Sequence, residues 1–433
     1  MSEIASIHGM RVWDSRGNPT IEVEVTLADG STGRAIAPAG ASRGTREAVD
    51  LRDGGTALRG MGVRKALDGI SRHVAPALRG LDGLDQAAVD AALIDADASA
   101  LKENLGGNAM VATSLAVLHA AADHAGKPLW RHVADSYDRA PKLPLPEIQI
   151  FGGGAHAGGR VDIQDFMIMV PGATSFDEVM EITNEVYFAA GDIMAQRGKL
   201  AGVADEGGWW PQFDSNEEAL ETLVAAIEKA GEKPGDRVVI SLDIAASEFG
   251  ADGKYRLSLE DRDLDSSGMI DMLGRWIDSY PIASIEDPLG EDDPKGMAEF
   301  TRRFGGRVQI IGDDYLVTNA DLVREAISQG ACNAALIKVN QAGTVSESIA
   351  CFDAAVKQGW GAIVSARSGE TEDVSISHLS TGLGCGQLKV GSFTRSERMV
   401  KWNECLRIQR DLGKDSFVQG APLAQTWWGK QKS

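Results

Sequence analysis

The sequence predicts an α/β protein in two parts, a small α+β domain followed by a β/α barrel, and three observations carry that prediction. The first 130 or so residues read as strands and then helices. A proline-dense break, "RAPKLPLP", follows at 139–146. Beyond it, short apolar runs recur at nearly regular spacing with helical segments between them, the rhythm of repeated βα units. At 433 residues the chain exceeds one ordinary core, which suits two domains.

In order along the chain, "IEVEVTLADGSTGRAIA" alternates apolar and polar residues across a D-G turn signal and predicts a hairpin. The Gly-rich "APAGASRGTREAVDLRDGG" interrupts it, and its 37–47 portion has the composition of a mobile lid or of a rigid Gly-rich turn. Helical spacing of Ala, Leu and Val then fills 61–133. Prolines disfavour helix interiors and central strands, so the domains are predicted as 1–138 and 139–433. In the second, "VVISLD", "IASIED", "VQIIGDD", "AALIKV", "AIVSAR" and "GQLKV" end at or beside Asp243, Glu286, Asp313, Lys338, Arg367 and Lys389. The intervals of 43, 27, 25, 29 and 22 residues each hold about one strand and one helix. Parallel βα units are the economical reading, and the absence of G-x-G-x-x-G after an early strand favours a closed barrel over an open dinucleotide-binding sheet.

With 63 acidic against 43 basic residues, the formal charge of -20 disfavours nucleic acid and anionic lipid as partners. An anionic small substrate then requires metal ions or clustered Lys and Arg. No basic stretch followed by an apolar run opens "MSEIASIHG", and no apolar run approaches the roughly 18 residues of a membrane span, so a cytoplasmic location is expected. The four cysteines, Cys332, Cys351, Cys385 and Cys405, form no C-x-x-C pair and read as reduced thiols in packed elements. Trp427 and Trp428 in the tail read as core packing, with a partner contact as the alternative.

Charged residues at six successive strand ends converge on one mouth. Asp243, Glu286 and Asp313 then make an oxygen-only set suited to Mg²⁺, with salt bridges to helix Lys or Arg as the alternative. Three carboxylates there would raise one another's pKa, and a metal keeps them ionised. Lys338, aimed into such a mouth, is a candidate general base whose pKa burial and nearby positive charge would lower. Arg367, Ser368 and Lys389 suit carboxylate and phosphate groups, and Glu206 in "GVADEGG" is a candidate acid.

Ten segments in order, "DSRGNPTIEVEV", "GAHAGG", "QDFMIMVPGATSF", "DEGG", "LDIAASEF", "YPIASIEDPLGEDD", "GDDYLVTN", "LIKVNQAGTVSES", "SARSGETED" and "RSER", resemble the signature segments of enolase over roughly residues 4 to 410. The resemblance implies the enolase-type barrel with its N-terminal capping domain, a hydro-lyase reaction and two Mg²⁺ per site, the second arriving with substrate. It assigns Asp243, Glu286 and Asp313 to the first Mg²⁺, Lys338 to removal of the α-proton and Glu206 to departure of the β-hydroxyl. It further implies that Lys389 holds the substrate carboxylate, Arg367 and Ser368 the phosphate, Ser42 the second Mg²⁺ on lid closure, and that His156 lines the closed pocket. Family members are usually dimers, so a homodimer or higher homo-oligomer is expected.

Several positions depart from the family pattern. Ala366 stands where "SHRSGETED" has histidine, and Asp165 where "QEFM" has glutamate; both belong to the polar network around the leaving hydroxyl. In the lid, "PAGASRG" replaces "PSGASTG", so Ala39 loses a hydroxyl and Arg43 adds a cation; Gly152 replaces the Asn of "NGG", and Trp209 and Trp210 follow Glu206. Lost imidazole volume and an added guanidinium suit a phosphorylated or phosphonylated substrate with an enlarged, more anionic phosphorus end. In this the chain resembles the carboxyphosphonoenolpyruvate synthase subgroup, which serves phosphonate antibiotic biosynthesis. An ordinary glycolytic enolase, and a non-catalytic homologue kept for binding, are the alternatives.

Overall fold

A computed structural model of the protein describes residues 1–41 and 44–432, apart from the Lys414 side chain. Three antiparallel strands open the chain, β1 (Ile4–Trp13), β2 (Pro19–Leu27) and β3 (Thr32–Ile36), in the order β1-β2-β3. The period-2 pattern of "IEVEVTL" buries Ile21, Val23, Val25 and Leu27. The sheet packs on the helix Gly107–His124, so closely that a Cβ on Gly33 would lie 2.1 Å from the Ala116 carbonyl oxygen. Only glycine on the strand, facing alanines on the helix, permits that approach. The predicted helical stretch holds Arg64–Gly69, Ala75–Leu78, Gln86–Asp97, Gly107–His124 and Leu129–Ser136.

The eight-stranded barrel begins with β4 (Leu145–Gly152), β5 (Asp165–Met169) and β6 (Val239–Asp243). A small outlying sheet of β7 (Gly250–Ala251), β8 (Lys254–Leu257) and β9 (Arg262–Asp265) follows. The barrel resumes with β10 (Ile282–Glu286), β11 (Gln309–Gly312), β12 (Ala334–Ile337), β13 (Gly361–Ser365) and β14 (Gly386–Ser392), and closes as β10-β11-β12-β13-β14-β4-β5-β6. All six apolar runs are strands, joined through parallel neighbours. Outside those six, β5 runs antiparallel to both β4 and β6. Residues 153–164 connect β4 to β5 with only a short 3-10 turn, so the chain reverses without a crossover helix. The reversed strand therefore brings its first residue, Asp165, to the mouth reached by the last residues of its neighbours, in register with Asp243 and Gly152.

Branched apolar side chains ordinarily fill such a barrel. Here they fill one side only, where Ile311, Ala334, Leu336 and Ile363 cluster. The other side is polar. Gln387 Nε2 donates to Glu147 Oε1 at 2.6 Å, Ser241 Oγ donates to Glu147 Oε2 at 3.3 Å, and Gln309 Nε2 donates to Gln387 Oε1 at 2.7 Å. Burial pushes the Glu147 carboxyl up to about 7, outweighing the nearby Lys389 ammonium.

The two parts meet through a buried carboxylate. Asp90 Oδ1 accepts from Ser114 Oγ at 2.6 Å and Asp90 Oδ2 accepts from the Ser346 amide at 2.9 Å, tying the N-terminal helices to the start of Val345–Val356. Trp427 Nε1 donates to the Ile282 carbonyl at 2.6 Å and Trp428 Nε1 to the Asp236 carbonyl at 2.7 Å, so both packing expectations for the tail are met. All four cysteines are buried free thiols.

Candidate active site

The six strand-end charges are buried and face one another. Lys389 Nζ donates to Asp243 Oδ2 at 2.7 Å and to Glu286 Oε2 at 2.8 Å, and lies 3.6 Å from Asp165 Oδ2. Lys338 Nζ donates to Asp313 Oδ2, whose Oδ1 accepts from Gln341 Nε2 at 2.8 Å. The balancing cations are thus strand-end lysines rather than helix residues. Burial drives the Glu286 carboxyl well above the carboxylate range, and repulsion from Asp243 adds to it. Burial also acts to raise Asp313, but the Lys338 ammonium wins and holds it below its usual value.

Lys338 departs from expectation in one respect. Burial lowers its ammonium pKa as anticipated, but direct pairing with Asp313 outweighs burial and the net shift is upward. A lysine bonded to a carboxylate gains more from the charged form than it loses by desolvation.

The donor set suits a hard divalent cation on its own chemistry. Asp243, Glu286 and Asp313 offer only oxygen, and Glu286 Oε1 is buried with no hydrogen-bond partner. Asp313 also shares a tight cluster with Asp287 and Asp314, their carboxylate oxygens within 4.8 Å of one another. Asp287 has a structural task there. Its Oδ1 and Oδ2 accept from the Asp313 and Asp314 amides at 2.9 and 2.7 Å, bracing the backbone that presents Asp313.

A second buried group, His156, Asp165 and Glu206, brings one ligand atom each within 4.8 Å of the others. His156 Nδ1 lies 2.9 Å from Asp165 Oδ1, and His156 Nε2 3.7 Å from Glu206 Oε1. Burial lowers the imidazole pKa, but the Asp165 and Glu206 carboxylates outweigh it and hold the value up at about 9. Asp165, shorter by one methylene than the glutamate expected there, still reaches the histidine because the reversed β5 starts at the mouth.

Another wall of the site is built around Arg367. Its Nη1 and Nη2 donate to Glu47 Oε2 and Oε1 at 2.9 and 3.2 Å. Ser368 Oγ accepts from the Ala41 amide at 2.6 Å, and Ala39 and Gly369 form a two-bond bridge, so residues 39–41 are fastened to 368–369. Arg398, in "RSER", holds that segment from below by donating to the carbonyls of Arg367 at 2.6 Å and of Ser368.

One cavity of about 20 Å³ is bordered by His156, Asp165, Glu206, Asp243, Lys338, Ala366, Arg367, Ser368 and Lys389. Gly40, from the Gly-rich loop, also lines it. Glu286 and Asp313 lie against it through Lys389 and Lys338. The Ala366 methyl is part of the wall. Ser42 and Arg43 lie outside the described residues. Sequence reasoning passed over Glu47, Gln149, Gln164, Gln341 and Arg398. The signal for Gln149 was available, because "EIQIF" carries two polar residues on one face of an otherwise apolar strand.

Comparison with known families yields two matches. Residues 4–133 match the family described as enolase, N-terminal domain, and residues 140–426 match enolase, C-terminal TIM barrel domain. Among the described residues no helix is long and apolar enough to cross a membrane.

Proposed function

The chain belongs to the enolase family, whose two domains match it almost end to end, and on that footing we propose a Mg²⁺-dependent hydro-lyase acting on a 2-phosphoglycerate-like acid. The observation that carries the proposal is a cavity walled by a buried lysine and a buried glutamate, Lys338 and Glu206, with the Arg367–Ser368 anion site beside them. Lys338 takes the α-proton at Nζ as the neutral amine, a form it reaches only by giving up its bond to Asp313. The electron pair left at that carbon forms the second bond of a C=C double bond to the β-carbon as the β-C–O bond breaks, and Glu206 gives the departing hydroxyl its proton, releasing water. Lys389 holds the substrate carboxylate and Arg367 with Ser368 the phosphorus end. His156 and Asp165 steady Glu206, and the domains divide at 138–139. Asp243, Glu286 and Asp313 would hold Mg²⁺, which supplies positive charge to offset the negative charge that builds on the substrate carboxylate.

The substrate we propose is a 2-phosphoglycerate analogue with an extra carboxylate on phosphorus, as in carboxyphosphonoenolpyruvate synthesis within phosphonate antibiotic biosynthesis. Ala366 supports this reading, since a methyl in the wall beside Arg367 leaves volume that an imidazole would fill. Arg43 adds charge at the lid. Location in the cytoplasm and assembly as a homo-oligomer complete the reading. Steady-state kinetics on both substrates test it, with wild type expected to prefer the analogue. A charge-assisted contact contributes about 1.5–3 kcal/mol, so Arg43→Thr should weaken the analogue roughly 10- to 100-fold while Ala366→His excludes it. Preference for 2-phosphoglycerate, unmoved by either change, would make this an ordinary enolase. No turnover of either substrate, with ligand still bound, would leave a non-catalytic homologue.

A further inference from the structure

Gln149 sits at the mouth end of β4, fully buried, between the two acids of the histidine cluster. Its Oε1 accepts from the Gly208 amide at 2.9 Å. A backbone N–H has only one role, so this bond fixes the amide's orientation and turns Nε2 toward the carboxylates. There Nε2 donates to Asp165 Oδ1, and its second hydrogen faces Glu206 Oε2 at 3.5 Å. Glu206 is thus flanked on both oxygens, by Gln149 at Oε2 and by His156 at Oε1. The same side chain also grips the loop that carries Glu206, through Gly208.

Space for this arrangement comes from Gly152. A Cβ there would lie 3.1 Å from Gln149 Oε1 and 2.7 Å from Ala204 Cβ, on the other limb of the Glu206 loop. Any side chain at 152 must push the Gln149 amide or that loop aside. Gly152 has no positive φ, so nothing in the backbone itself demands glycine.

We propose that Gln149, seated by Gly152, is a positioning residue for Glu206 that serves departure of the β-hydroxyl and leaves α-proton removal untouched. The proposal rests on the roles given above to Lys338 and Glu206. It is specific because Gln149 makes no bond to Lys338, Asp313, Glu286 or Arg367 among the described contacts.

Two rates separate the roles, exchange of the substrate α-proton with solvent deuterium and formation of the enol product, measured on 2-phosphoglycerate and on its phosphorus-carboxylated analogue. Gln149→Met keeps the length and removes the donors. It should cut dehydration roughly 10- to 100-fold, with exchange and KM within about two-fold of wild type. Gly152→Ala displaces the amide without altering its chemistry and should reproduce the same split. Were Gln149→Met to misfold, Gly152→Ala and the shorter Gln149→Asn would carry the test through the same ratio. Exchange and dehydration falling together, or neither falling, in the folded variants would overturn the role of Gln149. Wild-type protein that dehydrates both substrates without any exchange step dependent on Lys338 would instead overturn the roles it rests on.

Discussion

Glu147→Gln should stabilise the protein at alkaline pH and make no difference in acid, by an amount set by the buried carboxyl's shift. Glu147 is fully buried, and burial raises it from an ordinary 4.5 to about 7. Below pH 4.5 the carboxyl is protonated in both folded and unfolded chains and the group contributes no pH dependence. As pH climbs from 4.5 to about 7 the unfolded chain ionises first and folded stability declines. Above about 7 both forms are ionised and the full cost stands, about 3 kcal/mol at about 1.4 kcal/mol per pH unit. Glutamine keeps the size and the oxygen that accepts from Gln387 Nε2, and its NH₂ can donate to Ser241 Oγ once that hydroxyl turns. Urea denaturation of wild type and Glu147→Gln at about pH 5 and about pH 8 measures the difference. The variant's advantage should grow by up to about 3 kcal/mol between them. An advantage that does not change with pH would refute the reasoning, since it would mean that Glu147 holds the same proton folded and unfolded.

Two further outcomes follow from the site. Lys338→Ala should abolish exchange of the substrate α-proton, whereas Glu206→Gln should retain exchange and lose dehydration; wild-type exchange in Lys338→Ala would require another base. Mg²⁺ at about 100 times its dissociation constant should stabilise the folded protein by about 2.7 kcal/mol, read as a rise in thermal midpoint that chelator reverses. Asp243→Asn should blunt that rise, and an unchanged response would move the cation to other ligands.

Much of the barrel was legible because its strands end on charges. Asp243, Glu286, Asp313 and Lys338 each terminate an apolar run, and burial of a charge beside Ile and Leu demands a partner or a task. Strands β4 and β5 were not legible in the same way. Pro146, Glu147 and Gln149 break the apolar pattern of β4, and β5 begins on its charged residue, Asp165, where the legible strands end on theirs. Nothing local encodes that β5 runs backwards, because direction is decided by what the chain packs against afterwards. Glu47 was hidden for a related reason. It lies in a Gly-rich loop with no periodicity, and its partner Arg367 is 320 residues away. The shift of Lys338 was misjudged because sequence shows that a lysine is buried, not which carboxylate it meets.

The polar side of the barrel has a consequence for how the cylinder closes. β14 and β4 are the strands whose pairing seals it, and Gln387 registers with Leu145 across most of the barrel's chain length. Contacts so distant in sequence form late and slowly, when aliphatic faces alone would accept a neighbouring register almost as well. The Gln387–Glu147 hydrogen bond straddles that seam. A slip by one residue would turn Glu147 out of reach of both Gln387 and Ser241 and strand a carboxyl in apolar surroundings. The buried glutamate therefore acts as a key for the last strand pair, sacrificing alkaline stability to make one closure far better than its neighbours.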